Sequence, residues 1–345
     1  MQSVERGNRR RRRVRVMMAG IFGAFGGALS TASMLAVTTD LDRHFHRLGF
    51  HLELFGADPP HASIITAATA AADPSINFTA FLLSKSASTA PDNIPPLLHF
   101  VWVSQPSKIA SENNTVTESV QSVVESWKAI YPEYTTVLWD NFLARRVFAA
   151  IIPTLAKCEN AAHISDVLRY AILAKFGGLY VDTDTIAMRR LPEWLFDKST
   201  GAFSICQLPF TTPTVGEIVN KECNETANGI IGARPGHPAL RGILSTALNA
   251  VKTHTPNPNK KGLDVYFFAS SGPPGWTIEA KKHGVIILHS HTFFPCHWTD
   301  KKSCVMERFQ NDSGVYAMHT WAQAWLDGLP KKPRLYGKLP SRITK

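Results

Sequence analysis

Hydrophobic and polar positions fall into two textures along the chain. From residue 38 to about 93 the apolar residues keep no sustained period, and Ala/Ser/Thr-rich stretches such as HASIITAATAAADPS and SKSASTAPDN dominate. This composition reads as a stem, with one internal apolar piece, NFTAFLL, suited to packing on a neighbouring body. From Ile94 strands alternate with amphipathic helices. LLHFVWV (Leu97–Val103) is a continuous apolar run bounded by Pro96 and SQPS, the pattern of a fully buried strand. In TESVQSVVESWKAIYPEY, Val120, Val123, Val124 and Trp127 recur at helical spacing, and Pro132 follows the end of that helix. TTVLWD (Thr135–Asp140) predicts a second strand and FLARRVFAAI a short helix before Pro153.

A longer helix follows, AAHISDVLRYAILAKFGG, with Ile164, Val167, Leu168, Ala171 and Ile172 as its apolar stripe and a glycine pair at its end. The strand LYVDTD comes next. Strands alternating with helices predict an α/β domain with a mostly parallel sheet and flanking helices, and ligands of such sheets bind outside the carboxyl ends of the strands. Asp182 and Asp184 stand at such an end. In an extended segment, residues i and i+2 point the same way, so a divalent cation would relieve the repulsion between the two carboxylates. Two other roles fit the same tripeptide. One is a solvated turn capped by two aspartates. The other is the first motif of haloacid dehalogenase phosphohydrolases, with Asp182 as phosphoryl acceptor and Asp184 as acid/base. That second motif requires a later acidic pair, whereas Asp197, Asp264, Asp300, Asp312 and Asp327 are isolated.

Composition refines this picture at the N-terminus. Of the formal net charge of +10, residues 1–16 supply +6, with seven arginines against Glu5. The remainder is nearly balanced, which argues against a nucleic-acid-binding face. Val16–Val37 holds no charged residue and is long enough to cross a bilayer. The arginines on its N-terminal flank favour a cytoplasmic N-terminus, so the expectation is a basic cytoplasmic tail (1–15), a signal anchor (16–37), a lumenal stem (38–93) and a lumenal catalytic domain (94–345). A cleaved signal peptide, with its shorter apolar core, is the competing reading. Sequons at Asn77, Asn113, Asn224 and Asn311 are glycosylation candidates in that compartment. Of the five cysteines, the sequence-local pairs 206–223 and 296–304 are the expected disulfides, leaving Cys158 free.

The segment SDVLRYAILAKFGGLYVDTD resembles the sugar-binding region of the DXD-containing glycosyltransferases that include fungal α-1,6-mannosyltransferases, inositol-phosphoceramide mannosyltransferases and α-1,4-galactosyltransferases. IPPLLHFVWVS and SWKAIYPEYTTVLWD resemble the family's opening blocks, in order, and NGIIGARPGHPAL, SSGPPGW and HTFFPCHW resemble weaker later ones. The resemblance implies a GT-A fold, a nucleotide-sugar donor, a glycan or glycolipid acceptor and Mn²⁺ (or Mg²⁺). Asp184 would bind the cation directly, and Asp182 would contact the donor ribose or reach the cation through water. In the pattern Ser-Asp-x-x-Arg, Asp166 would hold sugar hydroxyls and Arg169 the sugar or diphosphate, where the residues alone suggest a solvated ion pair.

Trp102 and Tyr180 would line the donor pocket or serve as core aromatics. His319, in YAMHTWAQAW, resembles a C-terminal His-x-Trp segment and would complete the metal shell or sit half-buried among tryptophans. His237, His289, His291 and His297 lack a metal-binding spacing. The family retains anomeric configuration, and with no carboxylate identifiable as a covalent nucleophile, front-face departure and attack is the expected course. Asn228 and the GARPGHP loop are the acceptor-side candidates. The compartment expected is the Golgi.

Overall fold

Buried apolar runs from distant parts of the chain converge on one sheet. The computed structural model describes residues 64–65, 77–87, 92–208, 218–220, 222–254, 265–296 and 306–321. The predicted tail, the signal anchor and most of the stem lie outside these residues. Among the described residues no helix is long and apolar enough to cross a membrane.

The chain runs β1 (Ile64–Ile65), α1 (Phe78–Ala87), β2 (Leu97–Val101), α2 (Glu118–Ile130), β3 (Thr135–Trp139), α3 (Asn141–Phe148), α4 (Ala161–Phe176), β4 (Gly178–Val181), β5 (Thr185–Ala187), β6 (Ala202–Leu208), β7 (Glu225–Ala233), α5 (Pro238–Thr253), α6 (Val265–Ser271), α7 (Pro273–Lys282), β8 (Ile286–Leu288) and β9 (Ala317–His319). Seven strands form a mixed sheet in the order β1-β3-β2-β4-β7-β6-β8, while β5 and β9 form a separate ribbon. Pairing is parallel from β1 through β4 and between β6 and β8, and antiparallel only where β7 meets its two neighbours. The expected mostly parallel α/β sheet is present.

Both faces are covered, which is why β2 reads as an unbroken apolar run. On one face Leu98, Phe100, Leu138, Leu179 and Val181 pack with Val120, Val124 and Trp127 of α2. On the other, Trp139 packs against Phe148 of α3 and Phe176 of α4. Part of the predicted stem also joins this body. Asn77 Oδ1 accepts from the Ala80 N–H at the start of α1, Phe78 and Leu82 of α1 are buried, and β1 pairs with β3 at the sheet edge.

The connection from α4 to β4 depends on its glycine pair. Gly177 and Gly178 have φ of 66° and 99°, and a Cβ at Gly177 would lie 2.6 Å from Pro235 Cδ. Buried His99 ties three elements there. Its Nδ1 accepts from the Trp139 indole at 3.2 Å, so its Nε2–H donates to the Gly177 carbonyl at 2.9 Å. Burial pushes its pKa down to about 4, so the ring is neutral.

The cysteines follow the expected pattern where they are described. Cys206–Cys223 is a disulfide, Cys158 is a buried free thiol, and Cys296 is disulfide-bonded. Cys304 lies outside the described residues.

Candidate active site

The strand predicted over LYVDTD ends at Val181. Asp182 follows it, and Thr183 and Asp184 form a turn closed by the Thr185 N–H donating to the Asp182 carbonyl at 3.1 Å. Alternation along one extended strand therefore does not bring the two carboxylates together. A tight turn does, because it lets β4 stay in the main sheet while β5 leaves to pair with β9. The turn is held from both sides: the Asp182 N–H donates to the Gly229 carbonyl of β7, and the Thr320 N–H and Oγ1 both donate to the Asp184 carbonyl.

Pairing of β5 with β9 sets Thr185 opposite His319. His319 Nε2 lies 3.2 Å from Asp184 Oδ1 and 4.0 Å from Asp182 Oδ2, and its Nδ1 accepts from the Trp321 N–H at 3.1 Å. Ligand atoms of Asp182, Asp184 and His319 all lie within 4.8 Å of one another. A Cβ on Gly229 would come 2.5 Å from Asp182 Oδ2, so the floor beneath that carboxylate has room for hydrogen only. Two carboxylates and an imidazole in a half-buried recess fit a divalent cation, with the nitrogen suiting Mn²⁺ better than Mg²⁺.

Beside this group α4 contributes a polar network in place of a solvated face. The helix is buried on nearly every side, Arg169 included. Arg169 Nη2 lies 3.1 Å from Asp166 Oδ1 and 3.3 Å from Asp182 Oδ1. Its Nη1 donates to the Asn228 carbonyl at 2.7 Å and its Nε to the Ser165 carbonyl at 3.2 Å. The guanidinium also lies over the Tyr180 ring, 4.6 Å from its centroid, and the Tyr180 hydroxyl donates to Asp182 Oδ1 at 2.7 Å. Asp182 Oδ1 is thus held by a cation and a hydroxyl while Oδ2 turns toward His319. Burial pushes the Asp166 carboxyl up to about 7, against the pull of Arg169. Its Oδ1 also accepts from Asn228 Nδ2 at 2.9 Å.

The predicted residues Asp166, Arg169, Tyr180, Asp182, Asp184 and His319 therefore meet in one place. Trp102 lies just past β2 at the same carboxyl edge of the sheet, half-buried, with its indole N–H donating to the Thr115 carbonyl at 3.0 Å. The GARPGHP loop is elsewhere. Ala233 pairs with Gly178 at the entry of β4 and Pro235 packs on Gly177, so the loop lies a strand's length, roughly 10 Å, from Asp182. It is removed as an acceptor-side candidate because β7 runs antiparallel to β4 and carries its following loop to the opposite edge. Ser165 and Gly229 were assigned no role from sequence: Ser165 meets Arg169 through its backbone carbonyl and its hydroxyl, and Gly229 contributes a missing side chain.

Residues 117–200 match the family described as glycosyltransferase sugar-binding region containing DXD motif. Over 67% of this chain and 84% of its own length, an uncharacterized glycosyltransferase of Acanthamoeba polyphaga mimivirus is 23% identical. A mannosyl phosphorylinositol ceramide synthase of Saccharomyces cerevisiae is 25% identical over 45% of this chain, and an inositol phosphoceramide mannosyltransferase of Schizosaccharomyces pombe is 26% identical over 44%. The matches span only 36% of each of these two fungal proteins. Among solved structures, the PaToxG glycosyltransferase superposes over 58% of this chain and 73% of its own, with 15% identity and a TM-score of 0.37. The matched segment carries Asp166, Arg169, Tyr180, Asp182 and Asp184 together, so residues 117–200 are similar to the sugar-binding region of the DXD-containing glycosyltransferases.

Proposed function

We propose that the chain transfers a hexose, mannose or galactose, from a nucleotide sugar to a glycan or glycolipid acceptor on a GT-A scaffold, with Mn²⁺ or Mg²⁺ at the active site and retention of anomeric configuration. The observation that carries this reading is the convergence of Asp182, Asp184 and His319 beside the Asp166–Arg169 pair. The relatives include mannosyltransferases, which favours mannose.

Asp184 and His319 would hold the cation directly, with Asp182 beside them. When bound, the cation supplies Lewis-acid stabilisation of the negative charge developing on the departing nucleoside diphosphate. Arg169 Nη2 holds Asp182 Oδ1, and the Tyr180 hydroxyl donates to the same oxygen. Asp166 offers carboxylate oxygens for sugar hydroxyls, and Trp102 offers an aromatic edge for the base. His319 Nδ1 accepts from the Trp321 N–H, and Nε2, the nitrogen that faces Asp184 and Asp182, is the one that would ligate the cation. No carboxylate is positioned as an evident covalent nucleophile, so the residues orient donor and acceptor for departure and attack on one face.

The compartment belongs to the same reading: a single-pass type II protein of the Golgi, anchored through residues 16–37. The disulfides at Cys206–Cys223 and Cys296 support an oxidising environment. Asn113, Asn224 and Asn311 are exposed and can carry glycans, so enzymatic deglycosylation of protein from the secretory pathway is expected to lower its mass.

The deciding experiment incubates the detergent-solubilised full chain with Mn²⁺ and a panel of nucleotide sugars, and measures nucleoside-diphosphate release. Release from one donor, abolished by Asp184→Asn, is expected. No release from any donor, or equal release by Asp184→Asn, overturns the reading. Phosphate release from a simple phosphomonoester, lost in Asp182→Asn, would favour a phosphohydrolase instead.

A further inference from the structure

The ribbon β5–β9 carries both halves of the proposed cation site, yet it is only three residues long on each strand and separate from the main sheet. Something must hold it. Thr185 and His319 are register partners, while the neighbouring bond runs from the Thr320 N–H to the Asp184 carbonyl. That pattern makes Thr185/His319 a non-hydrogen-bonded pair, whose backbone groups point outward from the ribbon and whose side chains approach closely.

Two of these outward groups bond to the two residues of one aromatic stack. The Thr185 carbonyl accepts from the Trp127 indole N–H at 2.7 Å, and the His319 N–H donates to the Phe293 carbonyl at 3.0 Å. The rings of Trp127 and Phe293 stack 6.5 Å apart with an interplanar angle of 9°. The residue before Trp127 adds a second hold, since Ser126 Oγ accepts from the Ala187 N–H at 3.1 Å. Trp127 is fully buried and touches none of the site's polar side chains in these bonds.

We infer that Trp127, seconded by Ser126, is a positioning residue: the α2 brace sets the spacing between Asp184 and His319 and thereby the affinity of the site for its cation. The inference rests on the cation-binding reading of Asp182, Asp184 and His319. Trp127→Phe keeps an aromatic ring for the stack but removes the indole N–H that donates to the Thr185 carbonyl. Outer-shell partners of metal ligands are worth about 10- to 100-fold in metal affinity, so a loss of about tenfold is expected.

The test titrates Mn²⁺ alone into the full chain by electron paramagnetic resonance, with thermal unfolding measured in parallel. Phe203→Leu serves as a control, because Phe203 lies in the same core and touches neither strand of the ribbon through a hydrogen bond. Trp127→Phe weakening Mn²⁺ binding about tenfold, with Phe203→Leu leaving it within about twofold at a similar loss of melting temperature, supports the inference. If Trp127→Phe does not fold, Ser126→Ala decides by the same comparison, with a loss of about threefold expected for its single weaker hold. Unchanged binding in the variant, or equal loss in the control, overturns the inference and leaves the cation site standing. Absence of Mn²⁺ binding by the wild type overturns both.

Discussion

A hydrogen atom on Gly229 keeps the Asp182 carboxylate where it is. A methyl group there would lie 2.5 Å from Oδ2, and the carboxylate is the part able to move. Gly229→Ala is therefore expected to lower nucleoside-diphosphate release at least about tenfold while shifting the unfolding midpoint little, because the strand backbone stays extended. Arg169 tests the other side of the same carboxylate. Arg169→Lys keeps the charge but not the fork, so contacts to Asp166, Asp182, Asn228 and Ser165 are lost together. A destabilisation of about 3 kcal/mol by urea unfolding is expected, along with loss of turnover. Asp182, Asp184 and Arg169 were legible as sequence because their chemistry is in their side chains. Gly229 was not, since its contribution is the absence of one, and it meets Asp182 only through the pairing of β4 with β7.

Among the elements, β2, β3, α2 and α4 were readable because each repeats one period over several residues. The break between β4 and β5 was hidden: Val181 and Ile186 look like one apolar strand interrupted by acids, and only the partner β9, far along the chain, makes the second half a separate ribbon. The α4–β4 junction makes a pH prediction. Neutral His99 holds Gly177 and Trp139 with a pKa lowered to about 4 by burial, while the unfolded chain takes up its proton near the ordinary value of 6.5. The stabilising contribution is therefore fully present above 6.5 and is lost as pH falls toward 4. Each unit is worth about 1.4 kcal/mol, so denaturant unfolding should show a loss of about 2 kcal/mol between pH 7 and pH 5 from this ring alone. His99→Gln is expected to flatten that part of the profile.

For the whole molecule, the disulfide Cys206–Cys223 closes the connection between β6 and β7 over a separation of 17 residues. A loop of that size is worth about 3 kcal/mol, so Cys206→Ala/Cys223→Ala should unfold at correspondingly lower urea, and reduction of the wild type should mimic it. The class of sheet was readable from alternating strands and helices. Its antiparallel insert was not, because β6 and β7 carry no pattern that fixes direction, and the edge strand β1 lies in a stretch whose composition resembles a linker. The chain order of the site has one more effect. Asp184 accepts from Thr320 across 136 residues, with most of the domain between them. At about 5–20 residues per second of synthesis, the acids emerge on the order of ten seconds before the histidine segment that completes their group. On the proposed reading, a nascent chain carrying a finished DXD turn is expected to stay silent toward its donor until β9 pairs with β5 and closes the ribbon.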